Sequence, residues 1–283
     1  MQKAIKRYFP VFVLPTLIAF TIGFLAPFVL GVYLSFCKFT TVQNVTFVGL
    51  GNYAKIWLDD TFTHAFWFTA VFTVVSTVLI NVLAFGIALL LTRGIRGTNI
   101  FRTTFFMPNL IGGILLGYIW QILLNGVLSA LEKPLLSLNA TYGFLGLVIL
   151  MCWQQIGYMM IIYIAGLQNV PLDLIEAAKI DGASMFQRIL HIDIPELVPM
   201  IVLQLIMSVG NLMNVGFEKV LLLQTELNKA TSDIIAVYVY EQGIINAKYS
   251  YSTAVGLFNT VVNIILLIIV NRIAKKAADV SFV

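Results

Sequence analysis

Charged residues are scarce in this chain of 283 residues. Lys and Arg number 17 and Asp and Glu 13, so charged side chains make up 11% of the sequence, whereas they make up about a quarter of a typical soluble domain. Hydrophobic residues make up 60%, and the mean hydropathy is +0.95. This composition excludes a soluble globular domain and indicates insertion into a bilayer, because a spanning helix needs roughly 20 mostly apolar residues.

Histidine and cysteine are also scarce, with two of each. Cys37 and Cys152 lie in or beside predicted helices, and two thiols cannot build a disulfide framework. His64 and His191 fall on opposite sides of the membrane in the topology predicted below, so they cannot meet in a metal cluster or a catalytic triad. We therefore predict no catalytic residue, no cofactor and no metal site. These absences argue against a membrane enzyme.

Six apolar segments are long enough to span a bilayer. The first contains Pro15 and Pro27 and is too long for the apolar part of a cleaved signal peptide, so we predict that it is a retained helix. The whole chain, residues 1–283, is predicted to form one all-α membrane domain. The segments are approximately Val11–Phe36, Phe66–Leu91, Thr104–Leu124, Tyr142–Ala165, Pro199–Leu223 and Ser250–Val270.

The distribution of Lys and Arg predicts the orientation of these segments. Positive residues favour the cytoplasmic side, so both termini and the loop after the fourth segment are predicted to be cytoplasmic. The basic residues are spread over short loops, which argues against a nucleic-acid partner. One side collects eleven basic residues, Lys3, Lys6, Arg7, Arg93, Arg96, Arg102, Lys179, Arg188, Arg272, Lys275 and Lys276, and the other side six, Lys38, Lys55, Lys133, Lys219, Lys229 and Lys248.

Gly166–Val198 is the longest predicted cytoplasmic stretch and has the pattern of two short helices. Asp173 and Glu176 have capping-box spacing, which predicts a helix start at Asp173. Gly182 suits the left-handed turn that ends a helix. A second capping pattern begins at Ser184, and Pro195 and Pro199 are predicted to end that second helix before the fifth span. On this pattern alone the stretch could be an ordinary interhelical loop or a surface that docks to a partner.

The motif in this loop resembles the EAA loop of ABC importer permeases. Glu176-Ala177-Ala178 is followed after three residues by Gly182 and after nine more by Ile192-Asp-Ile-Pro195. The family pattern has Leu where this chain has Ile194. In that family the loop docks into the ATPase subunit, which implies a coupling role for Glu176, Ala177, Ala178, Asp181, Gly182 and Phe186.

Three further stretches resemble the carbohydrate, maltose-transporter-type, branch of these permeases. They are Phe47–Tyr53, Phe101–Pro108 and the Trp153, Gly157, Tyr158 region. The resemblance implies a six-helix type I importer permease for a sugar or oligosaccharide, in a bacterial or archaeal cell membrane. It also implies a second permease subunit, expected to be a different chain, two copies of an ATPase subunit and an extracytoplasmic solute-binding protein. The sequence has no P-loop, so ATP hydrolysis would come from the ATPase partner.

Polar residues recur on single faces of the later spans. Such residues are costly in lipid and usually face the bundle interior or water, but amides and small residues also hold helices together, so packing and substrate contact stay open alternatives. The candidate path residues are Asn109, Trp153, Gln155, Tyr158, Asn211, Asn214, Glu218, Asn259 and Asn263.

A self-contained secondary transporter of a small polar solute is the alternative function. It would need groups that bind a coupling ion, and only Glu218 falls plausibly within a span. It would also be expected to show inverted repeats, and we find none.

Overall fold

The computed structural model describes residues 2–41, 44–212, 217, 220, 221 and 233–278. The described residues are mostly helical and include a short antiparallel pair of strands, β1 (Cys37–Lys38) and β2 (Thr46–Phe47), in which Cys37 lies opposite Phe47. The α-helices are α1 (Gln2–Phe20), α2 (Ala26–Ser35), α3 (Gly51–Ile56), α4 (Asp60–Leu91), α5 (Thr98–Phe106), α6 (Gly113–Ala130), α7 (Ala140–Gln168), α8 (Leu172–Ile180), α9 (Met185–Arg188), α10 (Ile194–Leu212), α11 (Ile235–Tyr240) and α12 (Tyr249–Ala278).

Single turns of other helix types join several of these elements. A π-helical turn, Thr21–Leu25, connects α1 to α2 without a break, and Glu241–Ile245 extends α11 in the same way. Short 3₁₀ helices, Met107–Leu110 and Leu136–Leu138, precede α6 and α7. The Asn139 side chain caps the start of α7 by accepting hydrogen bonds from two backbone N–H groups, as is usual for Asn at this position.

Six helical stretches within the described residues are long and apolar enough to cross a membrane, which confirms the predicted number. They are Val13–Ser35, Asp60–Leu91, Gly113–Ala130, Ala140–Gln168, Met185–Ser208 and Tyr249–Arg272. The third begins at Gly113, not at Thr104 as predicted. Pro108 lies in the 3₁₀ turn and Gly112 has extended backbone, so they separate α5 from α6.

The contacts divide the chain into two compact units. The first consists of Met1–Asp60 with Tyr238–Val261, and the second of Thr61–Val237 with Val262–Val283. The single domain expected from the sequence stays a prediction.

In the second unit, the core lies between α4 and α7. In the apolar 18-residue stretch of α7, 56% of the residues are buried, a larger share than in any other candidate span of the described chain. The Tyr163 hydroxyl of α7 donates a 2.6 Å hydrogen bond to Asn81 Oδ1 of α4. Phe144 of α7 packs edge-on against Phe68 and Phe72 of α4. The fourth span is therefore the central packing element of its unit.

Two glycines allow other helices to approach α7 closely. A Cβ on Gly157 would overlap the backbone carbonyl of Phe105 in α5. A Cβ on Gly166 would overlap side-chain atoms of Leu197 and Met200 in α10. Small residues at such crossings are typical of helix packing in membranes, where close approach maximises van der Waals contact.

In the first unit, hydrogen bonds fix the loop after α2. The Asn52 side-chain amide donates to the carbonyl oxygens of Ser35 at 2.8 Å and Cys37 at 2.9 Å. The Phe39 N–H donates to Ser250 Oγ at 2.7 Å, and that hydroxyl donates back to the Phe39 carbonyl at 3.1 Å. The residues around β1 are therefore tied both to the end of α2 and to the start of α12.

Candidate functional site

The motif segment folds as two short helices joined by a glycine turn, as predicted. The first helix, α8, begins at Leu172, two residues earlier than expected, because the prediction made Asp173 the N-cap. Pro171 occupies the N-cap position and makes no side-chain cap, so the predicted capping box between Asp173 and Glu176 is wrong. Asp173 instead lies in the first turn, where its negative charge favours the positive end of the helix dipole. Proline suits a helix start because its missing N–H is not needed there.

Gly182 ends α8 in the left-handed conformation, with φ of +72°. Its N–H donates to the Lys179 carbonyl at 3.2 Å, and the Ala183 N–H donates to the Ala178 carbonyl at 2.9 Å. These two bonds form a Schellman motif, which satisfies carbonyl groups that the helix end would leave unpaired. A side chain at Gly182 would meet no atom within 4 Å, so the backbone conformation alone favours glycine.

The second helix, α9, starts with the predicted capping box. Ser184 Oγ accepts a 3.3 Å hydrogen bond from the Gln187 N–H, and Gln187 Oε1 accepts a 2.7 Å hydrogen bond from the Ser184 N–H. This reciprocal pair satisfies two backbone donors at the helix start. The entry to α9 is thus fixed by four consecutive residues, independently of the rest of the chain.

The second helix does not end at Pro195 or Pro199, contrary to the prediction. It continues through a π-helical turn, Ile189–Asp193, into α10, so the fifth span begins at Met185. The Ile194 N–H donates to the Ile189 carbonyl, five residues earlier. The next residue, Pro195, has no N–H and so needs no carbonyl acceptor in the helix. A π-helical turn shifts the hydrogen-bond register, which accommodates a proline that would otherwise break the helix.

An ion pair braces this junction. Arg188 Nε lies 3.2 Å from Asp193 Oδ2, and Asp193 is only 2% exposed. Arg93, just beyond the end of α4, contacts the Met185 sulfur at the start of α9. The second short helix, α9, is therefore continuous with the fifth span and also contacts the chain just after the second span.

The predicted coupling residues are mostly exposed. Glu176, Ala177, Asp181, Gly182 and Phe186 lie on the surface of the loop. Ala178 is the exception, because it is buried and lines a cavity of about 310 Å³ between the two short helices. Ala178 therefore faces this cavity, and its coupling role stays a prediction.

Two large apolar side chains stand out on the same loop. Ile180 is 86% exposed and Phe186 is 73% exposed. Ile180 lies in α8, between the fourth and fifth spans, whereas Phe186 lies in the first turn of the apolar stretch that begins at Met185. Exposed apolar patches on such elements mark interaction sites. Phe186 was predicted as a coupling residue only through the family resemblance. The sequence analysis missed Ile180, although its position two residues before Gly182 could have indicated it.

The candidate path residues divide into those near α7 and those on α12. Asn109 is half-buried in the 3₁₀ turn that packs against α7. On α7 itself, Trp153 and Tyr158 are exposed and Gln155 is half-buried, and Trp153 packs edge-on against Trp120 of α6. Three of these residues therefore lie on α7 and the fourth on the turn that packs against it.

The other candidates lie on α10, on α12 or outside the described residues. Asn259 is buried and Asn263 is half-buried, one helical turn apart on α12, and both side-chain oxygens lack a hydrogen-bond partner within the described residues. Asn211 lies in the last turn of α10. Asn214 and Glu218 lie outside the described residues. All nine stay predictions.

Sequence reasoning missed a row of hydroxyl groups on α4. Thr73, Ser76 and Thr77 are buried, and among the residues described here their hydroxyl oxygens have no partner. Thr69, one turn earlier, donates to the Ala65 carbonyl and accepts from the Ile235 N–H. The spacing of three and four residues was visible in the sequence, but our search for polar faces was confined to the later spans.

Comparisons with known proteins identify the family. Residues 83–279 match the family described as the binding-protein-dependent transport system inner membrane component. The chain belongs to this family. It is a multi-pass membrane permease of a binding-protein-dependent ABC importer, and the resemblance predicted from the Glu176 motif is confirmed.

Relatives and a solved structure cover nearly the whole permease. It is 35% identical to the probable starch degradation products transport system permease protein AmyD of Thermoanaerobacterium thermosulfurigenes, over 93% of this chain and 90% of that relative. It is 30% identical to the polygalacturonan/rhamnogalacturonan transport system permease protein YteP of Bacillus subtilis (strain 168), over 97% and 89%.

A chain of the bacterial alginate ABC transporter, solved in complex with alginate pentasaccharide-bound periplasmic protein, has the same fold. It superposes with a TM-score of 0.86 at 24% identity, over 99% of both chains. The predicted fold class, an all-α importer permease with six membrane helices, is therefore confirmed.

Proposed function

We propose that this permease forms half of the translocation path for a sugar or oligosaccharide that an extracytoplasmic binding protein delivers. The relatives that support this substrate class are named for starch degradation products and for polygalacturonan or rhamnogalacturonan. The structural neighbour with the same fold was solved with a saccharide-loaded periplasmic protein. The partners in this proposal are a second, different permease chain and two copies of an ATP-hydrolysing subunit. The permease itself performs no chemistry.

The observation that carries the coupling role is the exposed apolar pair on the motif loop. Ile180 and Phe186 flank the Gly182 turn, which joins a helix that ends in a Schellman motif to one that starts with a capping box. A short helix that presents apolar side chains fits a groove on a partner. We infer that this loop enters the ATPase subunit, with Glu176, Ala177 and Asp181 on the exposed rim.

The joint between the loop and α10 gives this coupling a mechanical basis. The π-helical turn and the Arg188–Asp193 ion pair make α9 and α10 one continuous element. The Arg93–Met185 contact joins the loop to the end of α4. A displacement of the loop on ATP binding would therefore be passed to two membrane spans. This proposal places the loop and both termini in the cytoplasm, in keeping with the positive-inside distribution of Lys and Arg.

The amides on α12 support the proposed path. The side-chain oxygens of Asn259 and Asn263 lack partners within the described chain. A buried acceptor without a donor costs about 1–3 kcal/mol, so these positions call for a donor from outside the described residues. A sugar hydroxyl or a group of the second permease would provide it. The same reasoning extends the proposed path to the hydroxyl groups of Thr73, Ser76 and Thr77.

A matched pair of phenylalanines tests the coupling proposal. Phe186→Ser and Phe47→Ser remove similarly exposed rings, 73% and 70% exposed, on sides of the membrane that the proposal makes opposite. We expect Phe186→Ser to lower retention of the ATPase subunit about tenfold or more in the purified complex, as for an aromatic anchor at an interface. Phe47→Ser should leave retention unchanged. Equal retention in both variants would remove the basis for the coupling role.

A further inference from the structure

Three lysines from distant parts of the first unit converge on one cavity. Lys38 lies in β1, Lys55 in α3 and Lys248 just before α12. Together with Asn52, Asp59 and Tyr251, among other residues, they line a cavity of about 400 Å³. All three lysines are exposed. Three like charges gathered at one opening repel one another unless an anion lies between them.

The cavity has a single acidic lining residue, and its carboxylate is already engaged. Asp59 Oδ2 accepts hydrogen bonds from the Tyr238 hydroxyl at 2.6 Å and the Tyr251 hydroxyl at 3.2 Å. Those two hydroxyls also contact each other at 3.0 Å. Across residues 2–41, 44–212 and 233–278, none of the three lysine ammonium groups forms an ion pair. The cavity thus offers an excess of positive charge that the described chain does not neutralise.

The cavity wall is held in place before any ligand arrives. Asn52 bridges two carbonyl oxygens around β1, and the reciprocal hydrogen bonds between Phe39 and Ser250 join β1 to the start of α12. These bonds fix the backbone that carries Lys38 and the segment next to Lys248. A fixed scaffold lowers the ordering cost of binding, so the three charges form a prepared anion site.

We propose that this pocket receives a surface carboxylate, from Asp or Glu, of the extracytoplasmic binding protein. The inference rests on the proposed function, which places the segment between the first two spans and the start of α12 outside the cell. Exposed charges at an interface mainly steer encounter and fix register. This pocket suits such a role, because all three of its lysines are exposed.

An acidic saccharide is the competing occupant. Sites for small molecules bury most of their ligand between apolar and aromatic side chains, with a few placed polar groups. In this pocket all three cations are exposed, and the amide of Asn52 and the hydroxyl of Tyr251 are already engaged in internal hydrogen bonds. These features favour a protein partner, which brings its own surface to cover the lysines.

The test measures binding of the substrate-loaded binding protein to the complete importer in lipid nanodiscs. The main variant is K38Q/K55Q/K248Q, and K38R/K55R/K248R keeps the charge. Lys133→Gln is the matched control, because Lys133 is exposed and is also predicted to lie outside but does not line the cavity. We expect the Gln triple to raise Kd about tenfold at low ionic strength and to flatten its salt dependence. The Arg triple and Lys133→Gln should stay near wild type.

The same measurements can also contradict the proposed carboxylate site. An unchanged Kd and salt dependence in the Gln triple would overturn the proposal, and so would an equal loss in the Arg triple. If free galacturonate bound the importer in a lysine-dependent way while the Kd of the binding protein stayed constant, the pocket would be a saccharide site. Absence of any stimulation of ATP hydrolysis by the binding protein in the wild-type importer would instead contradict the proposed function itself.

Discussion

At the scale of single residues, two glycines are required for different physical reasons. Gly182 has a φ of +72° and open space around the position of a Cβ. Gly157 lies within α7, where a Cβ would overlap the Phe105 carbonyl. The first requirement is conformational and local, whereas the second depends on a crossing helix. Substitutions at the two positions should therefore fail in different assays.

Gly182→Val should impair coupling and spare the membrane helices. A β-branched residue in the left-handed region is strained by roughly 1–2 kcal/mol, so the Schellman turn would open and α9 would shift. We expect substrate-stimulated ATP hydrolysis by the purified importer to fall severalfold. Gly182→Asn is the control, because asparagine tolerates this conformation. Equal activity of the Val and Asn variants would show that the turn geometry is not needed.

Gly157→Ala should impair assembly. The added methyl group would push α5 away from α7, and overpacking of this kind costs typically 1–3 kcal/mol, occasionally more. We expect a lower yield of folded permease and a lower thermal midpoint in detergent. Gly86→Ala in α4 is the matched control, since nothing lies within 4 Å of its Cβ position. A stable Gly157→Ala variant would mean that α5 and α7 can separate without cost.

At the scale of elements, the described part of the chain contains two helical faces with buried polar atoms that lack partners. One is the hydroxyl row of α4, and the other carries Asn259 and Asn263 on α12. Polar atoms left unpaired in a low-dielectric interior are costly, and they occur where another molecule completes the hydrogen bonds. Within the described residues, these donor and acceptor positions are therefore open, as the proposed translocation path requires.

The variant Asn259→Leu distinguishes a role in substrate binding from a role in packing between subunits. Leucine keeps a similar volume and removes the polar atoms, so helix packing should survive while hydrogen bonding to a saccharide is lost. We expect binding-protein-dependent sugar uptake in proteoliposomes to fall about tenfold, the effect of one lost hydrogen bond of about 1.4 kcal/mol. Val261→Leu on the same helix is the control, because that side chain is exposed. Loss of the assembled complex in Asn259→Leu would instead assign the residue to packing between subunits.

At the scale of the whole molecule, the distribution of Lys and Arg predicts the orientation in the membrane. The positive-inside rule places the Lys179 loop in the cytoplasm and the Lys133 loop outside. Both side chains are exposed, so single cysteines at these positions should be accessible from one side each. The two native cysteines are buried and would be replaced by alanine.

In intact cells, a membrane-impermeant thiol reagent should label Lys133→Cys and should not label Lys179→Cys until the membrane is permeabilised. The reverse pattern would invert the topology and would also move the lysine pocket of the first unit to the cytoplasmic side. Labelling of both positions from outside would contradict the six-span arrangement itself.

The sequence by itself determined the features that depend on short stretches of chain. Six apolar segments predicted six spans because spanning is a property of about 20 consecutive residues. Gly182 and the Ser184–Gln187 pair predicted a helix end and a helix start correctly, because caps form between residues a few positions apart. The Glu176 motif likewise led to the family before any contact was known.

Only the tertiary structure decided the features that depend on residues far apart in sequence. The crossings of α7 with α5 at Gly157 and with α10 at Gly166 follow from packing against helices distant in sequence, which local propensity does not encode. The convergence of Lys38, Lys55 and Lys248 is of the same kind, since more than 190 residues separate the last two. Burial and charge proximity are properties of the folded chain, so no local pattern could have revealed them.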